Sequence, residues 1–233
     1  MAYYHTLGSI PPKRHTIHEK PEGGLYYEQL FGTEGFHGVS SLLYHTHRPT
    51  MVSHIGEAID LRPQAAVDKN IHSRMLQGFN AKPTADLLDA RTTVLFNNDV
   101  QIDVAAPQKG IDGYFFKNGD SDEVLFIHQG SGVLRSMFGE LRFEYADYIV
   151  IPRGTIYQIA FDGPDNRLFV VESHSPVITP KRYRNEFGQM LEHSPFCERD
   201  LRLPTYMAPK DERGEFLLKI KKEGVLHHVK IGR

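Results

Sequence analysis

Two stretches decide the fold: residues 113–132, GYFFKNGDSDEVLFIHQGSG, and residues 149–159, IVIPRGTIYQI. Across residues 112–173, short runs rich in Phe, Tyr, Ile and Val follow one another closely, and a turn signal closes each run. The turn signals are Asn118-Gly119-Asp120, Gly130-Ser131-Gly132, Gly139-Glu140, Pro152-Arg153-Gly154 and Asp162-Gly163-Pro164-Asp165. Short strands at close, even spacing with little helix between them indicate a mainly β sandwich or jelly-roll barrel.

Upstream of this core the strand signals are sparser. Strand-like runs occupy residues 39–45, 91–96 and 100–104, and Asn97-Asn98-Asp99 predicts a hairpin turn between the last two. Residues 1–38 are punctuated by prolines and glycines, so they are predicted to form an irregular arm.

Downstream, residues 174–214 are rich in proline, and a final strand-like stretch, EFLLKIKKEGVLHH, covers residues 215–228. The predicted organisation therefore has three parts. Residues 1–111 are an N-terminal arm with accessory strands, residues 112–173 are the barrel core, and residues 174–233 are a proline-rich connection.

The composition limits the functional classes. The 233 residues include 27 basic and 29 acidic side chains, for a net charge of −2, and no long charged run favours nucleic acid or a membrane surface. Cys197 is the only cysteine, so an intrachain disulfide is excluded. No apolar run approaches the roughly 20 residues that span a bilayer. We expect a cytoplasmic globular protein that binds neither nucleic acid nor membrane.

The spacing of the core residues resembles the cupin pattern. Glu123 is followed after six residues by Gly130, as in the second half of the first cupin motif, and Pro152-Arg153-Gly154 matches the centre of the second motif. The expected fold is therefore a cupin-type jelly-roll barrel, preceded by an irregular N-terminal arm and with further strands packed on it.

The metal ligands of that pattern are missing. The first histidine pair should fall at 116 and 118 or at 117 and 119, where the chain has Phe116, Asn118, Lys117 and Gly119, and the later histidine is replaced by Tyr157. Glu123 alone remains, and one carboxylate does not hold a catalytic metal. We favour a role for Glu123 in capping a turn or bonding Tyr157 or Asn118 over a role as a surviving ligand. No catalytic, cofactor-binding or metal residue is predicted.

The histidines elsewhere form weaker candidates. His45 and His47 have the spacing of a strand-borne ligand pair that His54 and Glu57 could extend. His128 should face away from Glu123, because five residues separate them on one strand. No complete site accompanies the others: His15 and His18 in the arm, His174 beside Glu172, His193 with Cys197, and the His227-His228 pair.

Longer strings resemble one family. Residues 3–16, YYHTLGSIPPKRHT, residues 25–50, LYYEQLFGTEGFHGVSSLLYHTHRPT, and residues 180–202, PKRYRNEFGQMLEHSPFCERDLR, are similar to bacterial homogentisate 1,2-dioxygenase. The resemblance implies a homo-oligomeric bicupin of tyrosine and phenylalanine catabolism that cleaves the small aromatic substrate homogentisate with O₂ to maleylacetoacetate. Its Fe(II), held by two histidines and a glutamate, belongs to the second, C-terminal cupin, and the N-terminal barrel is degenerate.

No residue of this chain matches those iron ligands. The first expectation is therefore a truncated form or fragment that lacks the C-terminal cupin, needs no iron of its own, is inactive alone and exposes apolar surface. A second is a metal-free, stand-alone cupin that binds a small organic ligand in a closed apolar pocket around Asn118, Glu123 and Tyr157. A third is an enzyme with a metal site built from His45, His47 and His54.

Overall fold

The computed structural model describes residues 18–38, 40–67, 72–208 and 210–232, so part of the predicted arm, including His15, lies outside the described residues. The described residues form fourteen strands and three short 3-10 turns. The strands are β1 (Tyr27–Gly32), β2 (Ser40–His45), β3 (Val52–Asp60), β4 (Arg91–Phe96), β5 (Val100–Ala105), β6 (Phe115–Asn118), β7 (Asp122–Gln129), β8 (Gly132–Ser136), β9 (Gly139–Phe143), β10 (Tyr148–Ile151), β11 (Ile156–Phe161), β12 (Arg167–Ser173), β13 (Glu215–Lys222) and β14 (Val225–Gly232). The 3-10 turns are Gly78–Asn80, Lys181–Tyr183 and Glu198–Asp200.

Twelve of these strands form two facing sheets. One sheet has the order β10-β7-β12-β5-β4, and the other has the order β3-β14-β13-β6-β11-β8-β9. From β6 to β12 the chain crosses repeatedly from one sheet to the other, which is the connectivity of a jelly roll. The predicted fold class, a mainly β jelly-roll barrel, is confirmed. No helix in the described part of the chain is long and apolar enough to cross a membrane.

The predicted strands between residues 91 and 173 are all present. The Asn97–Asp99 turn is also confirmed: the Asn97 side-chain oxygen accepts hydrogen bonds from the backbone N–H groups of Asp99 and Val100, each at 2.8 Å. Asn side chains favour such turns because they bond the backbone two or three residues ahead.

Two strands contradict or extend the predicted organisation. The expectation of an irregular arm over residues 1–38 is wrong for β1, which pairs with β2 in a separate antiparallel hairpin. β3 was not predicted, because all nine of its residues are exposed and it carries no alternation towards a core. It is a strand because it pairs with β14 at the edge of the larger sheet.

The last strand-like stretch is also placed differently from the prediction. Residues 215–232, expected to belong to a connection, form the β13–β14 hairpin, and β13 pairs in parallel with β6 inside the larger sheet. β4 and β5 likewise join the smaller sheet from upstream. The two sheets therefore extend beyond the predicted core segment 112–173.

The core lies between the two sheets. Each strand of the pair β7 and β12 turns alternate residues inward, as the two-residue period of a strand requires. Leu125, Ile127 and Val170 of the smaller sheet meet Phe116 and Ile159 of the larger one in a single apolar cluster. Each such side chain contributes roughly 1.5–3 kcal/mol when fully buried.

Gly130 is the motif glycine whose place in the barrel tolerates no side chain. It joins β7 to β8 with φ +105°, and a Cβ atom would lie 2.1 Å from the Asn166 side-chain oxygen. Asn166 is buried and cannot withdraw easily, because its Nδ2 donates to the carbonyl oxygens of Pro107 at 3.0 Å and Gly163 at 2.7 Å. Both the turn and the contact therefore require glycine.

We expect Gly130→Ala to destabilise the protein more than two matched alanine variants. Gly113 also has positive φ (+74°) but no atom within 4 Å of a new Cβ, whereas Gly163 has neither constraint. Gly163→Ala should leave the free energy of unfolding nearly unchanged. Gly113→Ala should lower it by about 1–2 kcal/mol, because alanine is strained in the left-handed backbone conformation. Gly130→Ala should lower it by roughly 1–3 kcal/mol more, because the new Cβ clashes with Asn166. Urea unfolding of the three variants measures this order, and equal losses for Gly113→Ala and Gly130→Ala would contradict it.

Candidate functional site

The positions where cupins carry metal ligands point into this barrel. Phe116 and Asn118 on β6 and Tyr157 on β11 are all buried, and Tyr157 lies directly opposite Phe116 in the sheet. The two rings pack edge to face with their centroids 5.5 Å apart. The motif spacing therefore identified the right interior positions, but an aromatic pair and an amide occupy them.

Glu123 makes the contact that the sequence favoured. Its carboxylate is fully buried, at 0% exposure, and its Oε2 accepts a hydrogen bond from the Tyr157 hydroxyl at 2.9 Å. The other oxygen, Oε1, lies 2.8 Å from Nη2 of Arg91. Glu123 Oε1 and Arg91 Nη2 both lack a well-aligned hydrogen-bond partner, so the contact between them is a close ion pair without hydrogen-bond geometry.

Arg91 joins Glu123 to a second buried carboxylate. Glu172 on β12 lies directly opposite Glu123 on β7, and Nη1 of Arg91 donates to Glu172 Oε1 at 2.8 Å. From the facing sheet, Lys221 on β13 donates its ammonium to Glu172 Oε2 at 2.5 Å. Two cations and two carboxylates thus connect the two sheets through the middle of the barrel. We call these four residues the buried ion cluster.

The cluster separates the pKa values of its two carboxyl groups. Burial raises the pKa of Glu123 above its ordinary value of 4.5, although Arg91 opposes the rise. Burial acts on Glu172 in the same direction, but Lys221 and Arg91 outweigh it and lower its pKa below 4.5. Burial also raises the pKa of Tyr157 well above 10.0, so its hydroxyl keeps the proton that it donates to Glu123.

These donors do not fit a mononuclear iron site. A site with two histidines and one carboxylate needs imidazole nitrogens beside the carboxylate, and Phe116, Asn118 and Tyr157 supply none. The two oxygens of Glu123 are already engaged by a guanidinium and a hydroxyl. Across the part of the chain that the structure describes, no group of three or more His, Cys, Asp or Glu side chains could hold a metal ion.

The other predicted candidates do not converge either. The Nε2 atoms of His45 and His47 bond different partners, Gln29 Oε1 at 2.8 Å and Asp211 Oδ1 at 2.9 Å. The expected metal site with His54 is therefore not formed among the described residues. His128 is exposed while Glu123 is buried, so the prediction that they face opposite sides is confirmed.

Three of the cluster's four members were missed as site residues. Arg91, Glu172 and Lys221 each begin or interrupt a run of apolar strand residues at a position that points inward. A charge at an inward position of an otherwise apolar strand is the signal that could have identified them, because a buried charge must find a partner. The sequence alone did not show which strands would be neighbours.

Asn118, Glu123 and Tyr157, around which a closed apolar pocket was expected, are buried, and Glu123 and Tyr157 are hydrogen-bonded to each other. A cleft of about 450 Å³ lies at one end of the barrel, where several turns meet. Its lining includes Phe96, Arg153 and His174, and it reaches Glu172 and Lys221 of the cluster.

Removing the central guanidinium should be costly. We expect Arg91→Met to lower the free energy of unfolding by about 3–5 kcal/mol, because it leaves two buried carboxylates without their shared partner. Arg135→Met is the matched control, since Arg135 pairs with Glu140 at the surface with half of its side chain exposed, and such pairs contribute about 0–1 kcal/mol. Urea unfolding compares the two, and similar losses would contradict the central role of Arg91.

The two buried glutamates should give opposite pH dependences. Glu172 stabilises the fold above pH 4.5, and this stability is lost as the pH falls through its lowered folded-state pKa. Ionised Glu123 costs stability above its raised pKa, and that cost disappears as the pH falls towards 4.5. Relative to wild type, Glu172→Gln should therefore recover stability on acidification, whereas Glu123→Gln should lose it. Unfolding free energies measured between pH 7 and pH 3 test the two slopes, and slopes of the same sign would refute the assignment.

Comparisons with known proteins relate the chain to a protein that is named as a "Putative dioxygenase". No protein-family model matches it. Over 221 residues, 95% of the chain, it is 36% identical to a protein of Saccharolobus solfataricus named "Putative dioxygenase", and it spans 56%, about half, of that protein's length.

Solved cupin structures are similar over a smaller share of the chain. A cupin-2 domain protein from Shewanella frigidimarina is 16% identical, with a TM-score of 0.32, over 36% of this chain and 78% of its own. KdgF from Halomonas is 19% identical, with a TM-score of 0.33, over 37% and 78%. The fold assignment rests on the strand order of the chain itself.

Proposed function

We propose that this chain forms the structural, iron-free barrel of a homogentisate-type ring-cleaving dioxygenase. The observation that carries the proposal is the buried ion cluster, which occupies the place where a cupin holds its metal. The sequence similarity to a named dioxygenase over nearly the whole chain supports the enzyme class. The homogentisate substrate follows from the resemblance of the strings at residues 25–50 and 180–202.

The cluster is suited to support rather than to catalysis. Its charges neutralise one another, and the arginine and lysine come from strands of different sheets, so they hold the sheets in one arrangement. Glu123 is fully buried and hydrogen-bonded to Tyr157, so a substrate could reach it only if the packing opened. In this proposal the Fe(II) that activates O₂ belongs to a second barrel, and this barrel helps to position that catalytic half within a homo-oligomer.

A second candidate function is the binding of a small organic ligand without metal. The cleft of about 450 Å³ favours it, because its size falls within the range of small-molecule sites. Its lining is mixed and charged, unlike the closed apolar pocket that the sequence led us to expect. We rank this function below the first, since nothing in the cleft selects one ligand.

We expect the purified chain to bind no stoichiometric iron and to show no homogentisate-dependent oxygen uptake. The reason is that Glu123 and Glu172 are paired with cations, and the ligand positions of the cupin pattern carry no imidazole. The chain should be incubated with Fe(II) under anaerobic conditions and desalted. Iron is then measured by elemental analysis, and oxygen consumption with an electrode. One iron per chain accompanied by turnover would overturn the proposal.

A complementation experiment tests the positive half of the proposal. The portion of the Saccharolobus relative that this chain does not match would be expressed as a separate polypeptide and mixed with this chain. Homogentisate-dependent oxygen uptake should require both polypeptides, and the Arg91→Met variant should support it less well than Arg135→Met. Uptake by the separate portion that this chain leaves unchanged would count against a structural role.

A further inference from the structure

The outer face of the smaller sheet carries two apolar rows. Because strand residues alternate between faces, the positions next to the buried ones point outward, and the strand registers align them. One row consists of Tyr148, Phe126, Phe169 and Val104, and the other of Val150, Val124, Val171, Ile102 and Leu95. The first row is mainly aromatic and the second is entirely aliphatic.

An antiparallel sheet that faces water normally alternates apolar inward residues with polar outward ones. Here no charged residue occurs in either row, although the inward face of the same strands holds the core and the buried ion cluster. The outer face is therefore apolar along both rows, which is typical of a sheet face that is covered.

The described residues cover only a corner of this face. The segment with the 3-10 turn Gly78–Asn80 crosses it so closely that a Cβ atom on Gly78 would lie 2.7 Å from Val104. Phe79 packs against His128 with ring centroids 5.1 Å apart, and its carbonyl oxygen accepts a hydrogen bond from Arg167 at 3.1 Å. Beyond this corner, Tyr148 remains 71% exposed, Leu95 59%, Val150 46% and Phe169 40%.

The exposed area is large enough for a specific interface. With about 150–250 Å² for each aromatic side chain, the two rows and Phe79 present roughly 600 Å². Two such faces in contact would remove about 1,200 Å² from water, the lower limit for specific, stable interfaces. Sheets pack face to face in this way at about 10 Å separation, with their side chains interdigitated.

We propose that a second copy of this chain covers the face. A two-fold axis that lies between the two faces, parallel to the rows and midway between them, would place the aromatic row of one copy over the aliphatic row of the other. Bulky side chains would then meet a shallower surface. Since neither row carries a charge, this arrangement brings no like charges together. The proposal does not depend on the proposed enzymatic function, because it follows from the two rows alone.

The test is the oligomeric state of the chain and of two matched variants. Wild type should be a dimer by sedimentation equilibrium. Val150→Lys/Phe169→Lys should dissociate at least about tenfold more readily, because each copy would bury unpaired charges. Ile55→Lys is the control: Ile55 is 72% exposed on β3, in the other sheet, so its replacement should leave the dimer intact.

Far-ultraviolet circular dichroism and thermal unfolding show whether the variants fold. Folded double-lysine protein that sediments as a monomer, beside a dimeric control, supports the proposal. A monomeric wild type would overturn it and would point to a different occupant, such as another domain. A dimer that survives the double substitution, or that Ile55→Lys weakens equally, would also overturn it.

Discussion

The barrel depends on one interaction, the bridge that Arg91 makes between Glu123 and Glu172. The two carboxylates lie directly opposite each other on neighbouring strands, inside an apolar core, where like charges repel strongly. One guanidinium with a contact of 2.8 Å to each of them makes that arrangement tolerable. Lys221 then ties Glu172 to the facing sheet, and Tyr157 does the same for Glu123. The relative position of the two sheets is therefore specified by charge as well as by packing.

Such a cluster adds specificity more than net stability. Desolvating two ion pairs costs nearly as much as their attraction returns, so an apolar replacement of equal volume could be as stable. A misplaced pair, however, leaves a buried charge without a partner, and alternative registers of β4, β7, β12 or β13 would each do so. The side chains of the buried ion cluster and Tyr157 occupy the space that a metal ion and its ligands need. Charge complementarity within the protein thus takes the organising role that a metal has in other barrels of this pattern.

The sequence predicted what is local and missed what depends on pairing. Gly130 and Pro152-Arg153-Gly154 located the turns, and the Glu123 spacing identified Phe116, Asn118 and Tyr157 as interior residues, because these features follow from strand periodicity and turn chemistry. Arg91 lies 32 positions from Glu123 by their numbers in the chain, so only the strand order shows that they meet. β3 was missed for the same reason, since it too depends on pairing. All of its residues are exposed, so the sequence shows no alternation of buried and exposed positions, and β3 is a strand because it pairs with β14.

The buried ion cluster inside the barrel and the two apolar rows on the outer face of the smaller sheet have related consequences for function. A jelly roll that binds a ligand inside keeps polar groups free to meet it, whereas here the interior charges pair with one another and the Tyr157 hydroxyl bonds Glu123. On the outside, the rows headed by Tyr148 and Val150 leave apolar area in water, at a cost of about 25 cal/mol per Å². Covering a surface of this kind lowers the free energy of the protein in water. The physical chemistry of this chain therefore favours a barrel that acts through its outer face, as a scaffold that holds other protein in place.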